Sequence, residues 1–148
     1  MKPFDQYPTD EAVLLKYPGD ASNCRHGWGL SIQKLTRQSR CAYCGLSLVN
    51  DYHHWLLMSV DHVIPKSEAA KLGIPPELAE SLANLVLACS GCNGLGNRFA
   101  IAEEEAKSTW TTGDFLKLRD ETFVKRKAVI AECRAKEMAF FDSKPWEA

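Results

Sequence analysis

The sequence predicts an α+β fold, with a small two-stranded core and mainly helical flanks. Two short apolar runs, "HWLLMSV" at 54–60 and "NLVLAC" at 84–89, are rich in the bulky and branched side chains typical of strands. Residues 114–141 contain no glycine or proline and intersperse apolar with charged positions, which is typical of a long helix or a helix pair. We expect a single domain over 1–148, with a core at 41–99 and mainly helical flanks at 1–40 and 100–148.

The remaining elements follow from local signals. A Thr or Asp cap before apolar positions predicts a short helix over 9–17. The segment "LSIQKLTRQSR" at 30–40 predicts an amphipathic helix with three cations, Lys34, Arg37 and Arg40, near one face. Paired prolines at 75 and 76 can open a helix over "PELAESLA". A helix weakened by glycines continues from Ser90 or Asn93, and Asp114 caps the long C-terminal helix.

Composition excludes several classes of protein. The apolar share of 45% and the charged share of 25% are typical of a globular domain, and the apolar runs are too short to span a bilayer. The N-terminus shows no secretory signal, so we expect a cytoplasmic protein. With 18 basic against 19 acidic residues, the chain lacks a long-range field for polyanions. Any nucleic acid would therefore have to bind a local basic patch, and basic residues outnumber acidic residues between positions 25 and 66.

Four of the six cysteines form two CxxC pairs, "CAYC" (Cys41 and Cys44) and "CSGC" (Cys89 and Cys92). In a reducing compartment such pairs indicate metal rather than disulfides, and together they suit one tetrahedral zinc ion. Ordinary buried or redox-active thiols are the alternative. The other two, Cys24 and Cys133, stand alone and are expected to be small buried hydrophobes.

The stretch "MSVDHVIP" at 58–65 ends an apolar run on Asp61 and His62. Zinc closure of the loop between the CxxC pairs would bring both residues near Asn93, which follows Cys92. A carboxylate and an amide oxygen are hard ligands for magnesium or manganese, and a neutral imidazole can accept a proton from water. These groups together meet the requirements of phosphodiester hydrolysis. A helix cap and a surface histidine are the alternative interpretation.

At "CAYCG", "VDHVIP" and "NLVLACSGCN" the sequence resembles the HNH endonucleases, the zinc-knuckle branch of the His-Me finger (ββα-metal) nucleases. The resemblance covers Cys41 to about Asn97. It implies a ββα-metal core in which His62 activates water and Asp61 and Asn93 bind one magnesium or manganese ion. It also implies that Asn84 braces the loop after the histidine, and that four cysteines hold structural zinc: Cys41, Cys44, Cys89 and Cys92.

The sequence departs from many relatives after Asn93, where "CNGLGNRF" lacks the lysine of the common "CNxxKG" pattern. Asn97 and Arg98 are candidate replacements for metal or phosphate contact, with helix or turn capping as the alternative for Asn97 and for Asn84. We interpret His26 as a solvated or hydrogen-bonded side chain. His53 and His54 are expected on opposite faces of a strand, and the basic run at 125–127 is expected to be a solvated helix face.

The leading hypothesis is therefore a metal-dependent endonuclease that cleaves DNA, with contacts mainly to phosphate. Because the chain is near neutral, we expect weak binding to DNA by the chain alone, which a recruiting protein partner could compensate. Two alternatives stay open: a zinc-stabilised module that binds nucleic acid or protein without cutting, and an RNase that uses the same site.

Overall fold

The computed structural model describes residues 3–95 and 99–147. The elements of this part of the chain are, in order, α1 (Glu11–Leu14), α2 (Trp28–Thr36), α3 (Tyr52–Leu56), β1 (Met58–His62), α4 (Lys66–Lys71), α5 (Pro76–Ala79), β2 (Leu85–Cys89), α6 (Ser90–Leu95) and α7 (Thr112–Asp142). Short 3-10 helices cover Leu82–Asn84, Glu103–Glu105 and Pro145–Glu147. Helices around one small sheet confirm the predicted α+β class.

The sheet pairs β1 with β2 in antiparallel register, from Met58 opposite Cys89 to His62 opposite Leu85. Helix α6 begins directly after β2 and packs against both strands. This ββα unit places the end of β1, with Asp61 and His62, opposite the start of β2. The connection between the strands carries α4 and α5, and the predicted helix after Pro75 ends at Ala79 rather than near Ala83.

The N-terminal flank covers the outer edge of β2. Gln38 Oε1 accepts a hydrogen bond from Leu87 N at 3.0 Å, and Leu87 O accepts one from Ala42 N at 2.9 Å. Tyr7 donates its hydroxyl to Leu85 O and accepts from Gln38 Nε2 at 2.6 Å. These bonds satisfy a strand edge that would otherwise be free to pair with another chain. The flank is thereby tied to the two-stranded core.

The C-terminal helix α7 runs for 31 residues, and a capping box at Thr111 and Asp114 starts it. The helix-capping residue is thus Thr111, with Asp114 in the reciprocal position three residues later. Its buried positions recur every three or four residues: Phe115, Leu118, Arg119, Thr122, Phe123, Arg126 and Ile130. This stripe closes the core, and it includes two arginines. The expectation of a fully solvated basic face at 125–127 is wrong for Arg126, which is 1% exposed.

Two local expectations from the sequence differ from the structure. The predicted strand at 54–60 begins only at Met58, because Asp51 caps α3 by accepting a hydrogen bond from His54 N at 2.9 Å. His53 and His54 therefore lie on a short helix rather than a strand. The predicted helix at 30–40 begins at Trp28 and ends at Thr36, since Arg37 adopts the left-handed conformation with φ 59°. Lys34, Arg37 and Arg40 do not share a helix face.

None of the helices within residues 3–95 and 99–147 combines the length and the apolarity needed to cross a bilayer. Helix α7 is long enough, but charged side chains recur along it.

The side chain of Asn84 holds the connection between the strands. Its Oδ1 accepts from Ile64 N at 2.9 Å, and its Nδ2 donates to Ile64 O and Ala79 O, each at 2.9 Å. Asn84 is completely buried, so water cannot replace these bonds. The residue thereby fixes the loop that follows His62 to α5 and to the start of β2.

We expect Asn84→Ala to lower the free energy of unfolding by about 3 kcal/mol, because it leaves three buried backbone groups without partners. Urea denaturation of the zinc-loaded protein measures the change. The matched control is Asn50→Ala at an exposed position, which should stay within about 0.5 kcal/mol of the parent. Equal stability of the two variants would contradict the bracing role.

Candidate active site and four-cysteine metal centre

The four paired cysteines converge on one point. Cys41 and Cys44 lie on a tight turn after α2, where Gly45 has φ 78° and donates its N–H to Cys41 O at 2.9 Å. Cys89 ends β2 and Cys92 lies in the first turn of α6. All four Sγ atoms lie within 4.8 Å of one another, and those of Cys44 and Cys89 are 3.8 Å apart. A tetrahedron of thiolates about 2.3 Å from zinc has edges of about 3.8 Å, so the cluster can hold this ion.

A bound cation would stabilise the thiolate forms of the four cysteines. Burial, together with the charge of Cys41, raises the pKa of Cys92 to about 12. A bound divalent ion reverses this effect because it stabilises the thiolate form. Arg134 on α7 places Nη1 3.5 Å from the sulfur of Cys92, which offsets part of the negative charge of a zinc tetrathiolate.

Three of the four predicted catalytic residues, Asp61, His62 and Asn93, line one cleft of about 310 Å³. Its lining comprises Val60, Asp61, His62, Pro65, Lys66, Ser67, Asn93 and Arg126. Strand β1 supplies Asp61 and His62, and α6 supplies Asn93 directly after the cluster residue Cys92. The geometry thus brings together a carboxylate, an imidazole and an amide that are up to 32 residues apart in the sequence.

The carboxylate of Asp61 is buried and held from two sides. Tyr43, which lies between Cys41 and Cys44, donates its hydroxyl to Oδ2. Arg126 donates Nη1 to Oδ2 at 2.7 Å and Nη2 to Oδ1 at 3.2 Å. Burial and the neighbouring carboxylate raise the pKa of Tyr43, so its hydroxyl stays a donor. Oδ2 thus accepts two hydrogen bonds and Oδ1 one longer bond.

The imidazole of His62 is largely enclosed. Its Nε2 lies 3.9 Å from Glu80 Oε1, and its ring lies 5.8 Å from that of Trp28. No hydrogen-bond partner for His62 Nε2 lies among the described residues. Burial lowers the pKa of His62, and this outweighs the opposite effect of Glu80. The ring is therefore neutral at pH 7, and its Nε2 is buried away from solvent.

The family model of the HNH endonucleases matches residues 41–98, which span both CxxC pairs, both strands and the start of α6. Residues 41–98 thus correspond to an HNH domain, and the flanks lie outside the match. This confirms the resemblance seen in the sequence, and the family as a whole comprises nucleases. No curated protein and no solved structure matches the chain.

A cleft residue comes from outside the HNH domain. Arg126 reaches in from α7, where its Nη1 also donates to His62 O at 2.7 Å and to Val63 O at 2.9 Å. Sequence reasoning missed this residue because it lies in a basic run. Its spacing from Phe123 and Ile130, three and four residues away on the buried stripe of α7, is the signal that indicates burial.

Other residues considered from the sequence lie elsewhere. Asn84 braces the loop and does not line the cleft. His26 packs edge-on against Trp55 at 5.6 Å, and Cys24 contacts Met58 O at 3.7 Å. Cys133 is free and half-buried. Asn97 and Arg98 lie outside the described residues.

We expect the purified chain to bind one zinc ion and Cys92→Ser to lose most of it, because three thiolates hold the ion much less tightly than four. Elemental analysis of the dialysed protein measures the content. Cys133→Ser is the matched control, since it removes a thiol outside the cluster and should leave the content at one ion per chain. Zinc loss in both variants, or in neither, would contradict the assignment of the four ligands.

Proposed function

We propose that the chain is a metal-dependent HNH endonuclease that hydrolyses DNA phosphodiester bonds. The observation that carries the proposal is the shared cleft of Asp61, His62 and Asn93, beside a cluster of four cysteines. A module that only binds nucleic acid has no need of a neutral imidazole beside two hard oxygen ligands. The HNH domain itself supports a nucleic-acid substrate in general.

His62 is the general base in this proposal. The imidazole takes the proton of the attacking water, and the neutral state that burial favours makes this possible at cellular pH. Arg126 bonds the carbonyl oxygens of His62 and Val63, which fixes the backbone from which the imidazole projects. Asn84 holds the following residue, Ile64, through both backbone groups. The base is thus set on a rigid turn, as catalytic geometry requires.

Asp61 and Asn93 are the proposed ligands of the catalytic magnesium or manganese ion, which would stabilise charge on the phosphate and on the leaving oxygen. The pair fits a hard cation that keeps several waters, because it offers only a carboxylate and an amide oxygen. Tyr43 and Arg126 orient the carboxylate of Asp61. Zinc at the four cysteines would have a structural role, since Tyr43 lies between two of the cysteines and Asn93 directly follows another.

DNA is proposed as the substrate, and phosphate contacts are expected to dominate because the chain as a whole is near neutral. Lys66 lines the cleft and is 64% exposed, which suits a contact to a neighbouring phosphate. A recruiting protein would compensate for weak binding. We also propose a cytoplasmic location, where thiols stay reduced, in accordance with six free cysteines.

We expect the protein to nick supercoiled plasmid with magnesium or manganese, and His62→Ala to lower the rate by about 10²- to 10⁴-fold, because the general base is lost. Gel electrophoresis of the plasmid over time measures the rate. His53→Ala is the matched control, because His53 is an exposed histidine of α3. Equal nicking by the His62→Ala variant and the parent rejects the proposed role of His62.

The same enzyme is to be incubated with a single-stranded RNA of similar length. Cleavage of plasmid but not of RNA supports DNA as the substrate. His62-dependent cleavage of RNA alone would instead identify an RNase, and binding without cleavage of either substrate would identify a module that does not cut.

A further inference from the structure

The charges around the cleft do not favour a free divalent cation. Among residues 3–95 and 99–147, the lining contains one carboxylate, Asp61, and two cations, Lys66 and Arg126. Glu80 lies just outside the lining, and its carboxylate is 2.8 Å from the ammonium group of Lys66. With the neutral His62, these four groups sum to zero, and the lining alone sums to one positive charge. Calcium sites built from protein alone normally carry several carboxylates, whereas magnesium is usually held by one or two carboxylates together with phosphates of the substrate.

The only acidic ligand is also neutralised at close range. Both oxygens of Asp61 accept hydrogen bonds from the guanidinium of Arg126, which forms a two-pronged ion pair with it. Arg126 is 1% exposed and bonds two backbone carbonyls besides, so it is fixed in place. A divalent ion at Oδ1 must therefore bind close to a fixed positive charge, which opposes it more strongly in a buried setting than in water.

Lys66 differs from Arg126 in this respect. Its side chain is 64% exposed, so solvent screens its charge, and its ion pair with Glu80 offsets that charge further. Solvent does not screen the charge of Arg126, and its side chain cannot move away, because it belongs to the buried stripe of α7. The charge balance that an incoming cation meets is thus set mainly by one residue.

We propose that the cleft takes up its divalent cation only together with an anionic phosphate of the nucleic acid, and that the Arg126–Asp61 ion pair enforces this coupling. The proposal rests on the function proposed above and describes the regulation of the same site. A phosphate brings the negative charge that the protein groups lack, and it offers oxygen ligands to the cation. In the absence of nucleic acid, Arg126 keeps Asp61 paired and the cation weakly bound.

Thermodynamic linkage makes the coupling reciprocal: the cation must strengthen binding of DNA by the same factor by which DNA strengthens binding of the cation. This property would limit non-productive occupancy of the site by abundant ions. It also means that the affinity of the free protein for manganese is expected to be a poor guide to the affinity of the complex.

The test measures Mn²⁺ binding directly, from the electron paramagnetic resonance signal of free Mn²⁺. The full-length, zinc-loaded His62→Ala protein is titrated with and without a short DNA duplex, the signal of duplex alone is subtracted, and the duplex is checked on a gel for intactness. We expect the duplex to tighten binding of Mn²⁺ by about tenfold or more. Equal affinity in the two titrations overturns the proposal.

The role of Arg126 is tested by Arg126→Gln and its matched control, Arg126→Lys, both in the His62→Ala protein. We expect Arg126→Gln to bind Mn²⁺ more tightly than the parent without DNA. We also expect the gain from DNA, which is the factor by which the duplex tightens Mn²⁺ binding, to be smaller in this variant. Arg126→Lys keeps the positive charge and should preserve the gain. Adding Asp61→Asn should abolish binding in each background. An unchanged gain in Arg126→Gln overturns the role of the ion pair.

Zinc content and thermal melting show whether Arg126→Gln folds. If it does not, the two titrations of the His62→Ala protein decide by themselves, since a gain from DNA supports the coupling and its absence overturns it. The nicking assay is independent of these outcomes. Coupled binding without nicking by the unmodified chain would reject the proposed cleavage alone, whereas nicking with uncoupled binding would reject this inference alone.

Discussion

The convergence of four cysteine sulfurs is the constraint on which the rest of the HNH domain depends. One pair lies on a turn that hydrogen-bonds to the outer edge of β2, and the other lies where β2 passes into α6. The first pair encloses Tyr43, which donates to the carboxylate of Asp61, and the second is followed directly by Asn93. A metal held by these sulfurs would therefore help to fix the positions of Asp61 and Asn93, the proposed ligands of the catalytic ion. A small sheet of two strands could not fix them by itself.

The cleft also depends on the helix that follows the HNH domain. Phe123 stacks on the ring of Tyr43 at 5.2 Å, and Arg126, one turn later, contacts Asp61 and the backbone at His62. Removal of one partner from such a buried ion pair leaves an uncompensated charge, so α7 and β1 constrain each other strongly. Helix α7 is thus part of the site, although the family match ends before it.

The sequence was most informative where chemistry and spacing agree. Two CxxC pairs indicated the metal cluster, and the apolar run before the second pair identified β2. It was least informative at short elements with competing local signals. The aromatic and branched residues around Trp55 favour a strand, yet the cap at Asp51 is satisfied at once by the N–H of His54, whereas a strand needs a partner elsewhere. Local hydrogen bonds therefore make Tyr52–Leu56 a helix. The strand begins at Met58, the first residue that pairs with β2, opposite Cys89.

The sequence by itself determined the fold class, the similarity of residues 41–98 to the HNH family and which four cysteines could hold a metal, because each follows from residue type and spacing along the chain. Only the tertiary structure decided that Arg126 belongs to the cleft and that it neutralises Asp61. An arginine in a basic run has the composition of a solvated face, and its burial depends on which stripe of α7 meets β1. That choice arises from packing between segments 65 residues apart, which no local pattern specifies.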